Sequence, residues 1–255
     1  MSGTPVVVKL GGTTIVEQQD VLREIVDERR QRPLVVVHGG GKRLTDWLAR
    51  LGVESHWREG RRVTDEATLE VFLAVIGGVV NAELTEALLG LGARAVGVRG
   101  VDDGMVRGHR AKGLQRVISE PVVEAALLWT LLEAGYLPVL TPMGLDPGGR
   151  ICNVNADDAA AATSAALGGE LLLMTDTDGV RDAEGTRISE LTPETAAALI
   201  DAGVIAGGMV PKVSSALRAI GPGSHAERAI IADGRRQGAL QQALHGGAGT
   251  SVRPG

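Results

Sequence analysis

The chain has 255 residues and a formal net charge of −5, with a pI near 5.6. These values argue against general nucleic-acid binding, because that function usually requires a basic face. The length suits one large α/β domain or two lobes that share a sheet. Only 2% of the residues are aromatic, so Val, Leu, Ile and Ala must fill the core. Cys152 is the only cysteine, which excludes an intramolecular disulfide and a multi-cysteine metal site.

The first ten residues, MSGTPVVVKL, lack the basic and long apolar segments of a signal peptide. The sequence has no run of about 18 apolar residues, so no membrane span is expected. We therefore expect a cytoplasmic protein.

Apolar runs that predict strands alternate with segments of helical periodicity along the chain. In chain order we predict strand 5–10, helix 21–30, strand 34–38, helix 43–51, a helix through 70–76, helix 81–91, strand 95–98, irregular structure or hairpins to 118, helix 122–134, strand 137–141, helix 157–166, strand 171–175, a helix from 193, helix 213–220 and strand 229–232. This alternation predicts a mainly parallel sheet covered by helices on both faces. We expect two lobes on one sheet, 1–150 and 151–255.

Three helix ends have readable capping signals. Thr64 is a predicted N-cap, because two acidic residues follow it in the first turn. The string Thr192-Pro193-Glu194 predicts an N-cap, a proline at the first helical position and a favourable acid. Gly168 is expected to close the alanine-rich helix before it.

Two predicted strands end in glycine-rich turns, KLGG at 9–12 and HGGGK at 38–42. The second turn is not a Walker loop, because Lys42 is followed by Arg43 and the spacing glycine is missing. Ligands of open α/β sheets bind at such strand ends, so both turns and Lys9 are candidates for one ligand site. The alternative interpretation is two tight turns, with the Lys9 ammonium reaching water.

The segment GGMVPK at 207–212 places Lys212 near a helix start. A cation there opposes the helix dipole, and a bound anion would reverse that penalty. An exposed lysine at a frayed helix start is the alternative. The segment ICNVNADD supplies Asp157 and Asp158, which either stabilise the helix start or orient lysines in a polar site.

Other candidates have weaker signals. Arg61 and Arg62 precede a helix, and an arginine fork matches a carboxylate, although a solvated arginine is the commoner case. The turn TDTDGVRD follows a strand and suits the closing of a nucleotide site. His38, the other histidines and Cys152 lack metal-ligand spacing, so no protein metal site is predicted.

Five motifs, KLGG, HGGGK, RVTD, NVNAD and GGMVPK, occur in an order and at separations that resemble the amino acid kinase family, most closely its acetylglutamate branch. The resemblance spans nearly the whole chain and implies a three-layer α/β/α sandwich, with an N-terminal substrate and dimerisation lobe and a C-terminal ATP lobe. It implies that ATP phosphorylates the γ-carboxylate of N-acetyl-L-glutamate in arginine biosynthesis, with Mg²⁺ held through phosphate oxygens.

The resemblance also implies roles for individual residues. Lys9 and Lys212 would stabilise the transferring phosphoryl group, and Asp157 would hold both lysines. The residues implied to bind the substrate are Gly40, Gly41, Arg62 and Asn153. The residues implied to bind ATP are Gly11, Gly12, Asp176, Thr177, Asp178, Gly179, Val180, Arg181, Val204, Ile205 and Ala206.

The sequence departs from the family pattern in one segment, 107–121, which lacks the expected glycine-valine pattern and is basic. Its basic residues are Arg107, His109, Arg110, Lys112 and Arg116. A related branch phosphorylates glutamate or aminoadipate attached to an acidic carrier protein, and this is the second functional hypothesis. A non-catalytic regulatory paralogue is the third. The chain begins directly on its first strand, without the extra N-terminal helix of arginine-inhibited hexamers, so the resemblance implies a homodimer without arginine feedback.

Overall fold

The computed structural model describes residues 3–11, 19–58 and 60–255. Its centre is an eight-stranded sheet in which every neighbouring pair is parallel except β13 and β14. In spatial order the strands are β12 (Glu190–Leu191), β14 (Thr250–Val252), β13 (Ala229–Asp233), β11 (Glu170–Thr175), β1 (Val6–Leu10), β2 (Leu34–His38), β8 (Leu137–Thr141) and β5 (Ala95–Arg99).

The central strands are apolar runs because both faces of the sheet are covered. All five residues of β1 are buried. Alternate residues of a strand point to opposite faces: Val6 and Val8 enter one hydrophobic cluster and Val7 enters the other. Two cores on two faces make the three-layer α/β/α sandwich, which confirms the predicted fold class.

The helices alternate with these strands. Their bounds are α1 (Gln19–Gln31), α2 (Gly41–Arg50), α3 (Glu66–Phe72), α4 (Asn81–Gly90), α5 (Ala126–Glu133), α6 (Ala156–Leu167), α7 (Pro193–Asp201), α8 (Met209–Ala219) and α9 (Ala239–Leu244). The predicted caps of two of them are confirmed. Gly168 closes α6 in the left-handed conformation, and Thr192 starts α7 with a capping box followed by Pro193.

A π-helical stretch, Leu73–Val80, joins α3 to α4. The predicted break between two helices is therefore wrong: Gly77 and Gly78 are accommodated inside one continuous helical run. Within the described residues this run, Glu66–Gly90, is long and apolar enough to cross a membrane by length and composition alone. Half of its most apolar window is buried inside the protein, where it packs on β5 and β8 as a core element.

The remaining strands lie outside the large sheet. They are β3 (Trp57–Arg58), β4 (Arg61–Arg62), β6 (Val106–Arg110), β7 (Val117–Val123), β9 (Met143–Leu145) and β10 (Ile151–Val154). Strands β3 and β4 form a short hairpin, and the other four close a small barrel. The predicted hairpin structure before residue 118 is thus present.

Two local predictions are wrong. The segment predicted as helix 122–134 begins as strand β7, because Val122 and Val123 pair with β6 across the barrel. Thr64 is not the N-cap of α3. Asp65 takes that position and its side chain accepts a hydrogen bond from the Thr68 N–H at 2.7 Å.

The two halves of the chain contribute the two halves of the large sheet. Strands β1, β2, β8 and β5 come from residues before 150, and the other four come after it. They meet where β1 pairs with β11, with Val6 beside Glu170. The division into a substrate lobe and an ATP lobe at residue 150 stays a prediction.

Candidate active site

The carboxyl ends of β1 and β2 lie side by side, since Lys9 is in register with Val37 and Leu10 with His38. The Gly39 N–H donates to the Leu10 carbonyl at 3.0 Å, which holds the two glycine turns together. The first turn, as far as Gly11, and the second turn therefore begin side by side at one edge of the sheet, as their sequences predicted.

Three charged residues predicted as the catalytic group come together at this edge. Nζ of Lys9 lies 2.8 Å from Oδ1 of Asp157, and Nζ of Lys212 lies 3.4 Å from Oδ2 of the same carboxylate. Lys9 and Asp157 are buried. Three elements contribute, β1, α6 and α8, and Asp157 joins the two ammonium groups.

The Asp157 carboxylate is ionised in this position. Burial opposes ionisation, but the ammonium groups of Lys9 and Lys212 outweigh it and hold the pKa of this carboxyl below its ordinary value. The start of α6 assists, because Asn155 caps it through hydrogen bonds from the N–H groups of Asp157 and Asp158.

At two of the glycines a side chain would be crowded or strained. A Cβ on Gly11 would collide with Nζ of Lys9 and lie 3.2 Å from the Met174 carbonyl oxygen. Gly40 has φ of +126°, and a Cβ there would come within 2.7 Å of Cδ1 of Ile76, so an L side chain is excluded on both grounds. Gly12 lies outside the described residues.

A cavity of about 200 Å³ is lined in part by Asn155 and Ala156, which directly precede Asp157 in the chain. Among its lining residues are Gly41, Trp57, Arg61, Arg62, Ile76 and Asn153. Three of the four predicted substrate residues, Gly41, Arg62 and Asn153, thus share one cavity. Gly41 begins α2, whose N-terminus lacks a side-chain cap and favours a bound anion.

Arg62 is held rigidly at this cavity. Its guanidinium donates to the hydroxyls of Ser55 at 2.6 Å and Thr45 at 2.7 Å, and it stacks 4.4 Å from the Trp57 ring centroid. Burial lowers its pKa, yet arginine remains charged at neutral pH. A fixed guanidinium in a partly apolar cavity suits a carboxylate ligand.

Two neutral polar side chains lie close to the site, Asn153 in the cavity wall and His38 at the end of β2. Asn153 donates to the Thr64 hydroxyl at 3.1 Å, which fixes the orientation of its amide. Burial lowers the pKa of His38 to about 4, although its hydrogen bond to the Gly39 carbonyl opposes this. The imidazole is therefore neutral, with Nδ1–H donating to Gly39 and Nε2 close to the Asn81 amide nitrogen and the Thr141 hydroxyl. These contacts give His38 a structural role at the end of β2.

The predicted nucleotide residues follow β11 and precede α8. Val180 and Ile205 are buried in the same hydrophobic cluster, and the Val180 N–H donates to the Thr250 hydroxyl at 2.8 Å. Arg181 pairs with Asp178. The other predicted members of this group are Asp176, Thr177, Gly179, Val204 and Ala206. Their contact with ATP stays a prediction.

A model of the amino acid kinase family matches residues 4–233. The chain belongs to the amino acid kinase family. The resemblance that the five motifs suggested is thereby confirmed.

Individual members extend the comparison. An acetylglutamate kinase from Rubrobacter xylanophilus is 47% identical over 253 residues, which cover 97% of this chain and 96% of the relative. Another from Dinoroseobacter shibae is 39% identical over 259 residues, covering 98% and 89%. The solved structure of smu.665 from Streptococcus mutans is similar with a TM-score of 0.80 and 27% identity, covering 90% of this chain and 94% of that one.

The family resemblance implied no role for Asn81, Arg61 or Asp158, although the last two were candidates from the sequence. Arg61 pairs with Asp158, whose side chain is 2% exposed, at 3.1 Å, and Asn81 contacts His38 from a distant helix. The sequence signal for these residues was the pair of adjacent charges at 61–62 and at 157–158. It could not show that Arg61 pairs with Asp158, because the two residues are remote in sequence.

Proposed function

We propose that this protein is an acetylglutamate kinase, which transfers the γ-phosphoryl group of ATP to the γ-carboxylate of N-acetyl-L-glutamate in arginine biosynthesis. Relatives named acetylglutamate kinase match nearly the full chain. The observation that carries the proposal is the joint placement of the Lys9–Asp157–Lys212 group and a small cavity containing Arg62.

The chemistry follows from charge. A carboxylate oxygen of the substrate attacks the γ-phosphorus, the bond from that phosphorus to the β,γ-bridging oxygen breaks, and ADP leaves. Both reactants are anionic, so their approach requires fixed positive charge, and phosphoryl transfer depends mainly on positioning and electrostatics. The ammonium groups of Lys9 and Lys212 supply that charge to the transferred group, and Asp157 prevents them from separating.

The cavity selects the acceptor. The Arg62 guanidinium is proposed to bind the α-carboxylate, and Asn153 and the start of α2 to bind the remaining polar groups. A volume of about 200 Å³ suits a small amino acid derivative.

Magnesium is proposed to arrive with the nucleotide. The described residues contain no cluster of three or more His, Cys, Asp or Glu side chains that could hold a metal, and both Asp157 oxygens face lysines. Magnesium is commonly held by substrate phosphates with few protein ligands, and there it would neutralise charge on the phosphate oxygens.

A coupled ADP-release assay with N-acetylglutamate, free glutamate, aminoadipate and acidic carrier conjugates tests the proposal. We expect turnover with N-acetylglutamate well above that with the other acceptors. Robust activity on a carrier conjugate with none on N-acetylglutamate would replace this proposal with the carrier hypothesis. Sedimentation tests the homodimer that the family resemblance implies.

The basic segment favours the free substrate. Arg110 pairs with Asp146 and Arg116 with Glu66, so two of its charges are neutralised within the protein. Simultaneous neutralisation of Arg110, Lys112 and Arg116 is therefore expected to change kcat/KM little. A carrier substrate would instead show a large loss and a steep dependence on ionic strength.

A further inference from the structure

Asp158 lies at the junction of three elements of the site. It follows Asp157 on α6, and its side chain is almost completely buried. Oδ1 accepts a hydrogen bond from the Ser215 hydroxyl at 2.7 Å and one from Arg218, both on α8. Oδ2 faces the guanidinium of Arg61, on β4, at 3.1 Å.

Two consecutive carboxylates therefore contact α8 side by side. Asp157 reaches Lys212, and Asp158 reaches Ser215, three residues further along the helix. Residues three apart lie on the same helix face. The Asp158–Ser215 contact thus fixes the approach of α8 to α6, and with it the distance between Lys212 and Asp157.

The third contact concerns the substrate cavity. Arg61 and Arg62 are consecutive on β4, and both line the cavity. Arg62 is the proposed carboxylate ligand, whereas Arg61 reaches across to α6. The hairpin is only two residues long on each strand, and the Arg61–Asp158 ion pair joins it directly to α6.

Stability alone is a weak reason for this arrangement. Buried ion pairs incur a large desolvation penalty and contribute little to net stability relative to apolar residues of similar volume. The contacts of Asp158 instead join the hairpin that carries Arg62 to the helix that carries Lys212.

We propose that Asp158 is a positioning residue, which aligns Lys212 through Ser215 and holds the substrate hairpin closed through Arg61. The proposal rests on the proposed kinase function, because Lys212 and Arg62 take their roles from it.

The test uses Asp158→Asn, Arg61→Gln and the double variant, with kcat and KM measured for each substrate. Asp158→Asn is expected to lower kcat by about 10²-fold, because misplacement of a reacting group by 1 Å has that order of effect, and to raise KM for N-acetylglutamate. Arg61→Gln is expected to raise that KM roughly five- to tenfold with a small change in kcat. Because both act on KM through one contact, the double variant should show no further rise beyond Asp158→Asn.

Glu170→Gln is the matched control. Glu170 also pairs with two arginines, Arg32 and Arg228, but it lies at the opposite end of β11 from the site. We expect its kcat and KM to equal those of the unaltered enzyme even if its melting temperature falls. If Asp158→Asn behaves in the same way, or if the two effects on KM multiply, the positioning role is refuted. Should Asp158→Asn fail to fold, Ser215→Ala removes one contact and must lower kcat for the proposal to stand.

Hydrogen exchange of the ligand-free protein gives a readout that is independent of the substrate. Peptides covering 53–65 should exchange faster in Asp158→Asn and Arg61→Gln than in Glu170→Gln, while peptides of β1 and β2 are unchanged. Uniformly faster exchange would indicate a purely structural role. If the unaltered enzyme does not phosphorylate N-acetylglutamate, the proposed function fails, but the exchange result still decides the role of Asp158.

Discussion

Replacing Asp157 with asparagine removes the charge that joins the two proposed catalytic lysines. At an effective dielectric constant of about 20, separations of 2.8 Å and 3.4 Å correspond to gross attractions of roughly 6 and 5 kcal/mol. Desolvation of the three groups offsets much of this. Removing one partner of a buried pair typically costs about 3–5 kcal/mol, and we expect a loss of free energy of unfolding in that range.

Urea unfolding at pH 7 measures this loss, and steady-state assays of the folded variant should show kcat reduced by roughly 10²–10³-fold, as for the loss of one preorganised group.

The direction in which pH changes the stability is also determined by Asp157. The native pKa of Asp157 lies below its ordinary value. The contribution of its ionised carboxylate to the free energy of unfolding is therefore complete above about pH 4 and is lost as the pH falls through the native pKa. Asp157→Asn should lack this component of acid sensitivity. Unchanged unfolding and turnover would show that the ion pairs have no energetic role.

Three further predictions concern single residues. Lys9→Ala and Lys212→Ala should each lower kcat by roughly 10²–10³-fold while circular dichroism shows an unchanged fold, and near-normal turnover in either variant would exclude its role. Burial lowers the pKa of His38 to about 4. The contribution of the neutral imidazole to the free energy of unfolding is therefore complete above the ordinary pKa near 6.5 and is lost as the pH falls towards 4. Urea titrations from pH 7 to 4.5 should therefore show a loss of about 2–3 kcal/mol that is absent in His38→Gln. Arg62→Lys loses the fork that contacts Ser55 and Thr45, so calorimetry should show at least roughly tenfold weaker N-acetylglutamate binding, and unchanged affinity would remove Arg62 from the substrate site.

Six strands of the large sheet were readable from the sequence because burial leaves an apolar run, whereas β12 and β14, of two and three residues, were not predicted. Strand β2 has the predicted bounds. Helix starts were readable where the cap is local, as at Thr192. Strand β7 was misassigned because Val122 and Val123 pair with a strand of the barrel, and that pairing is set by tertiary structure and not by local pattern.

The grouping of Lys9 and Lys212 around the Asp157 carboxylate was predictable from the sequence, but the contacts of Asp158 were not. Lys9, Asp157 and Lys212 were identified by their motifs. The role of Asp158 was not, because an acid in a first helical turn already has a sufficient local explanation. Its partners are 57 residues or more away in sequence. No local pattern encodes such contacts.

The position of β1 in the sheet has a consequence for the synthesis of the protein. One side of β1 pairs with β2 soon after both are made, but the other side must wait for Glu170–Thr175. At translation rates of about 5–20 residues per second, this strand edge remains unpaired for roughly 10–30 s. An apolar strand with an open edge can pair with other chains, and a charged residue on it lowers that tendency. The one charged residue of β1 is Lys9, so the lysine proposed for phosphoryl transfer is also the residue of this strand that disfavours pairing with other chains before β11 is made.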